Sequence, residues 1–208
     1  GLGVTDPSAV EDALRDNARK IDDSDSGRLL YGAGILDAGA SASAVTARQT
    51  LFRLFALVAT TLLVTRAARK KSDSATSPWR IDFILPALFT SVGLLFFAPW
   101  ILPRASLPVD VLARPLADMD LLVGVSLHRF LPLANVLVPF ALTAVFFGVK
   151  RLRPFVSGLA TGTAAYLFAT VALNSAAAPF GRVPMLAWCV LNALACMWIA
   201  RTNLAETR

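Results

Sequence analysis

From Gln49 onward, five apolar runs recur, each close to the length of a membrane-spanning helix: about residues 49–66, 82–102, 131–149, 155–174 and 183–200. A helix needs roughly 20 predominantly apolar residues to cross the hydrocarbon of a bilayer. Inside that hydrocarbon every backbone N–H and C=O must be paired within the protein, which leaves helices as the solution for single runs of this kind. The expected fold is therefore an all-α integral membrane protein with about five transmembrane helices. Composition agrees: 56% of the 208 residues are hydrophobic and 16% are charged, against about a quarter charged in soluble domains.

The net charge is +6, but the bases sit beside the apolar runs, a placement that fits membrane topology and gives no nucleic-acid footprint. Arg66, Arg69, Lys70, Lys71 and Arg80, then Lys150, Arg151 and Arg153, then Arg201 and Arg208 fall on one set of loops; Arg104, Arg114, Arg129 and Arg182 fall on the other. The richer set belongs on the cytoplasmic side. The N-terminus is then extracytoplasmic and the C-terminus cytoplasmic, in a cytoplasmic (inner) membrane. The loop between the second and third runs has room for an interfacial amphipathic helix from Leu116 to about Leu127, or for a loop folded over the bundle.

Residues 1–46 are polar and unlike the 47–208 segment that follows. Thr5 or Asp6 can cap a helix with Pro7 in its first turn, and Val10, Leu14 and Ala18 repeat every fourth residue as a narrow apolar stripe. Asp22–Gly27 reads as a polar loop. Gly32 and Gly34 bracket a tight turn after Tyr31, and Asp37 can cap a following helix of small residues, which could run on into the first span. So short a segment cannot own a core. The chain begins at Gly1 with no visible signal peptide, and its numbering is expected to start inside a longer protein.

Few residues invite chemistry. His128 is the single histidine and cannot alone supply a multi-histidine metal centre. Asp82, at a boundary, is the only carboxylate of the apolar runs, so a proton relay is unsupported. Cys189 and Cys196 lie seven residues apart on one helix, about 10 Å of rise, too far for a disulfide. Neither cofactor nor metal is expected. Gly158 and Gly162 have the small-xxx-small spacing of a helix-packing face. Of the amides Asn135, Asn174 and Asn192, the last is deepest and is expected to hydrogen-bond a neighbouring helix. Arg53 can snorkel from the outer end of its span, and Trp188 and Trp198 fit interfacial anchoring.

The order "TDPSAVEDALRDNARKI" then "YGAGILDAGASASAV" resembles the C-terminal end of the subtilisin-like (S8) serine peptidase domain, where a helix, a gap, a glycine turn and a final helix close an α/β body. The matching positions are Val10, Leu14 and Ala18, then Tyr31, Gly32, Gly34, Ile35, Asp37, Ala38 and Ser41 or Ala42, within the first 45 residues. In that family the catalytic Asp, His and Ser motifs lie upstream, so no catalytic residue carries over to any position here. The resemblance implies that residues 1–46 end an extracytoplasmic peptidase domain and that the rest anchors it to the bilayer, inactive by itself. The alternative is a non-catalytic scaffold or accessory subunit of a larger membrane complex. A transporter or channel ranks last, lacking intramembrane charge and inverted repeats.

Overall fold

The computed structural model describes residues 7–21, 24–71, 77–101, 112–116, 137–146, 149–173 and 181–205. The expected cap at Thr5 or Asp6, the amphipathic helix beyond Leu116, His128, Asn135 and Asn174 lie outside them. The described residues are helical apart from turns and one isolated β-bridge. The chain divides into two compact units, Gly1–Leu51 and Phe52–Arg208.

In the first unit, α1 (Pro7–Asp16) starts at a proline whose fixed φ suits a first turn. An Arg15–Glu11 ion pair bridges one helical turn on its exposed face. The helix stops where the Asn17 amide donates back to Ala13 O at 2.8 Å, which leaves Ala18 beyond the helix end. The expected polar loop is partly helical: α2 (Asp25–Tyr31) begins three residues inside it. Ser24 is the cause, because its hydroxyl accepts the Gly27 N–H at 3.0 Å and so satisfies a free donor of the first turn.

Helix α3 (Ala38–Arg69) is one unbroken helix of 32 residues, about 48 Å long at 1.5 Å per residue. The run expected over 49–66 is thus part of a longer helix that starts at its Asp37 cap.

In the second unit, α4 (Ile81–Ser91) departs from the single helix expected over 82–102. It ends at Val92–Gly93, where Gly93 takes φ +103°, a conformation costly for any residue with a Cβ. A Cβ there would also meet Ala113 O at 2.5 Å. Leu95 N–H donates to Leu112 O and Leu116 N–H to Phe89 O, each at 2.9 Å, so residues 112–116 satisfy the broken backbone. A single helical turn follows at Ala98–Ile101. Helix α5 (Leu137–Phe146) is the described part of the third run. A 3-10 turn at Lys150–Leu152 leads into α6 (Arg153–Ala172), and α7 (Arg182–Ala205) completes the unit.

α6 is the central helix, packed most extensively on α4 and α7. Every residue from Val156 to Ala165 is buried. One cluster joins Leu57, Val64 and Ala68 of α3 to Phe83 and Ala87 of α4, Ala160 of α6 and Ile199, Ala200 and Leu204 of α7. A second gathers Ala164 and Leu167 against Met185, Cys189, Ala193 and Cys196.

Among the described residues three helices, α3, α6 (with its leading 3-10 turn) and α7, are long and apolar enough to cross a membrane; α4 and α5 are apolar but shorter. The outer faces match that environment. Phe52, Phe55, Val58 and Leu62 form an exposed stripe on α3, and Leu191, Leu194 and Trp198 one on α7, with Phe55 75% exposed. Contiguous apolar surface on this scale is a lipid-facing or partner-facing feature.

Candidate functional site

The turn after α2 is the most constrained part of the first unit. Gly32 has φ +62° and Gly34 φ +110°. At Gly34 a Cβ would stand 2.5 Å from Arg19 O, because the Arg19 and Ile35 backbones pair antiparallel through N–H···O bonds of 2.9 and 3.0 Å. Asp37 then starts α3: its Oδ1 accepts the Ala40 N–H at 2.8 Å, an N-cap on the third helical residue. Its carbonyl receives both the N–H and the hydroxyl of Ser41, at 3.0 and 2.8 Å. Tyr31 is the last residue of α2.

Around this turn several apolar side chains of the first unit are exposed. No large hydrophobic side chain is buried among its described residues. Ile21, Leu29, Ile35 and Leu36 are exposed, Leu29 at 89%. Val10 and Leu14 of the expected stripe line a groove of about 230 Å³ with Ser41, Ala42 and Val45. Covering such side chains would contribute about 25 cal/mol per Å² of apolar area.

In the second unit, Gly158 and Gly162 lie where α6 touches α4. A Cβ at Gly158 would collide with Phe83 O and stand 2.9 Å from Pro86 Cγ; one at Gly162 would collide with Ala87 O and the Thr90 hydroxyl. Hydroxyls stitch the same contacts. Thr90 Oγ1 donates to Pro86 O at 2.8 Å and lies 3.2 Å from Leu159 O across the interface. Ser157 Oγ donates to Ala200 O of α7 at 3.0 Å.

Asn192 is 3% exposed, but its amide donates to Trp188 O of its own helix at 2.8 Å; an i−4 carbonyl is always within reach of a short polar side chain. The amide that reaches across is Asn203, which donates to Thr143 Oγ1 of α5 at 3.2 Å and to Ile199 O at 2.9 Å. Sequence reasoning overlooked Asn203 because it lies past the apolar core of the run, within the helical extension to Ala205. The Arg53 guanidinium lies over the Tyr166 ring, 5.0 Å from the centroid, a cation–π contact that periodicity did not indicate. Cys189 and Cys196 are free and buried, and Trp188 and Trp198 are largely exposed.

At the start of α4, Arg80 clasps Asp82 through two bonds, Nε–Oδ1 at 3.0 Å and Nη2–Oδ2 at 2.9 Å. That hydrogen bonding holds the Arg80 guanidinium above its ordinary range. Among the described residues no three histidine, cysteine or carboxylate side chains converge as a metal site. The contacts shown at these positions are those of helix capping and helix packing. Comparison with known proteins finds no matching family, curated protein or solved structure.

Proposed function

We propose that this chain is the membrane domain of an extracytoplasmic subtilisin-like serine peptidase, with residues 1–46 closing the peptidase body and the helical bundle holding it against the membrane. The observation that carries it is the first unit's combination of a tightly specified turn with an apolar surface it does not bury. The two positive-φ glycines, the Arg19–Ile35 bridge and the Asp37 cap fix the backbone between α2 and α3. Ile35 and Leu36, on that same turn, are left for a partner to cover. A turn ordered to this degree and displaying apolar residues fits the closing element of a larger domain.

Orientation follows from the bases. Arg66–Lys71 at the end of α3, Lys150–Arg153 at the start of α6 and Arg201 near the end of α7 all belong on the cytoplasmic side. Between α3 and α6 the chain leaves and returns to one side, so α4 and α5 add an even number of crossings. Five crossings in all, the second interrupted at Gly93, keep the N-terminus outside and the C-terminus inside. Broken helices are tolerated at membrane depth where neighbouring protein satisfies the backbone, as residues 112–116 do for α4.

The test is the reading frame upstream of the Gly1 codon, together with fluorophosphonate labelling of its membrane-bound product. A peptidase anchor requires an Asp, His and Ser series encoded upstream and a labelled serine in the same polypeptide. A start codon immediately before Gly1, with no labelling, would instead favour an accessory subunit of a larger complex.

A further inference from the structure

Between the C-terminal half of α3 and α4 runs a groove of about 410 Å³, within the size range of small-molecule sites. Leu57 and Leu62 of α3 and Phe83 and Ala87 of α4 line it. At one end the character changes: Arg66 and Arg69, one helical turn apart, and Trp79 form the rim. Both arginines are exposed, and Trp79 is 82% exposed, the placement an indole takes at a headgroup layer.

Among the described residues no carboxylate compensates the charge at this rim. Asp82 is the only carboxylate among the described residues of the second unit, and Arg80 already holds both its oxygens. Arg66 and Arg69 meet no carboxylate among the described residues. Lys70 and Lys71 follow, exposed and outside the groove lining.

We propose that this groove binds one anionic phospholipid of the cytoplasmic leaflet, an acyl chain lying between Leu62 and Phe83 and the headgroup phosphate held by Arg66 and Arg69. Two guanidiniums a turn apart present fork-like donors to a phosphate, and basic pockets beside transmembrane helices recognise anionic headgroups. A soluble partner would leave the apolar walls unused. A zwitterionic lipid would fill the walls but bring its own cation to the arginines. The choice of leaflet rests on the orientation proposed above, but neither upstream peptidase nor accessory role is assumed, since the groove belongs to the second unit alone.

Native mass spectrometry of the full chain in detergent, titrated with phosphatidylglycerol or phosphatidylcholine, tests the site. One phosphatidylglycerol is expected to be retained in preference to phosphatidylcholine. Each of Arg66→Gln and Arg69→Gln should weaken it about fivefold, and the pair roughly 25-fold, from the surface worth of one basic residue. The Lys70→Gln/Lys71→Gln pair should change it less, since those lysines do not line the groove. Leu62→Trp, which adds bulk at an exposed wall position, should displace the lipid with the charges intact. Equal retention of the two lipids overturns the proposal, and so does an equal loss in the lysine pair, which would mean diffuse surface charge. Displacement by glycerol 3-phosphate would mean a phosphate site without the acyl chain and would also overturn it. Circular dichroism identifies any variant that has lost its helices; the two-lipid comparison on the unaltered chain then decides.

Discussion

Gly162 sets how closely α4 and α6 approach. With hydrogen in place of a side chain, the backbone of α6 rests against Ala87 O and the Thr90 hydroxyl. Gly162→Val must drive the helices apart or bend one of them, and overpacking of this kind costs about 1–3 kcal/mol. The expected result is a lower unfolding midpoint in a detergent–SDS titration, with Gly39→Ala, at an exposed position near the start of α3, near neutral as the control. Gly34 constrains the first unit in another way, through a left-handed φ and the carbonyl of Arg19. Gly34→Val should open the turn and speed limited proteolysis before about Val45 while the helices of the second unit stay protected. Unchanged protection there, or loss of the whole bundle, would contradict that role. The glycine positions were legible because small-xxx-small spacing and paired turn glycines are local signals. The Thr90–Leu159 and Ser157–Ala200 bonds were not, since a hydroxyl in an apolar run gives no sign of whether it bonds its own turn or a neighbour.

Among the elements, sequence periodicity located the long helices and misjudged their ends. α6 and α7 lie over the expected 155–174 and 183–200, whereas α3 runs three residues past 66 to Arg69 and reaches back to Ala38, the continuation from an Asp37 cap that the sequence allowed. Hydropathy measures where apolar residues are dense, but a helix continues through polar residues until its backbone is capped or turned. For α3 the start is Asp37, whose carboxylate takes the Ala40 N–H. Asp37→Ala should cost about 1 kcal/mol of helix stability, seen as faster amide hydrogen exchange over Ala38–Ala42 with exchange in α6 unchanged; Asp37→Asn should restore most of the protection. The same reasoning explains α4. Residues 82–102 are apolar throughout their middle, yet the helix ends at Ser91 because Gly93 adopts a positive φ and hands its neighbours' hydrogen bonds to residues 112–116. That partner lies some twenty residues onward in the chain, beyond the range of any periodicity.

For the whole molecule, the distribution of bases makes one arrangement cheaper than its inverse. In the orientation proposed above, Lys71 and Arg201 lie with the basic loops, and Gly181 precedes α7 on the side with few bases. Moving the Arg66–Lys71 cluster outward would expose four cations to the side that membrane insertion disfavours for them. On the five-crossing path proposed above, in which α4 and α5 return the chain to the side it left, it would also bring the Lys150–Arg153 cluster out. Single cysteines at Lys71, Arg201 and Gly181, in a background with Cys189 and Cys196 replaced by alanine, therefore have definite expected behaviour in intact cells. A membrane-impermeant maleimide should label only the Gly181 position, and the other two should react only after permeabilisation. Labelling at Lys71 from outside would reverse the orientation of α3 and place the N-terminal unit on the cytoplasmic side, where an extracytoplasmic peptidase could not be anchored. Protection at Gly181 with Lys71 still inside would mean that α6 does not cross. Its burial in the bundle would then be the core of a re-entrant structure, and helix length would have misled as to the path of the chain.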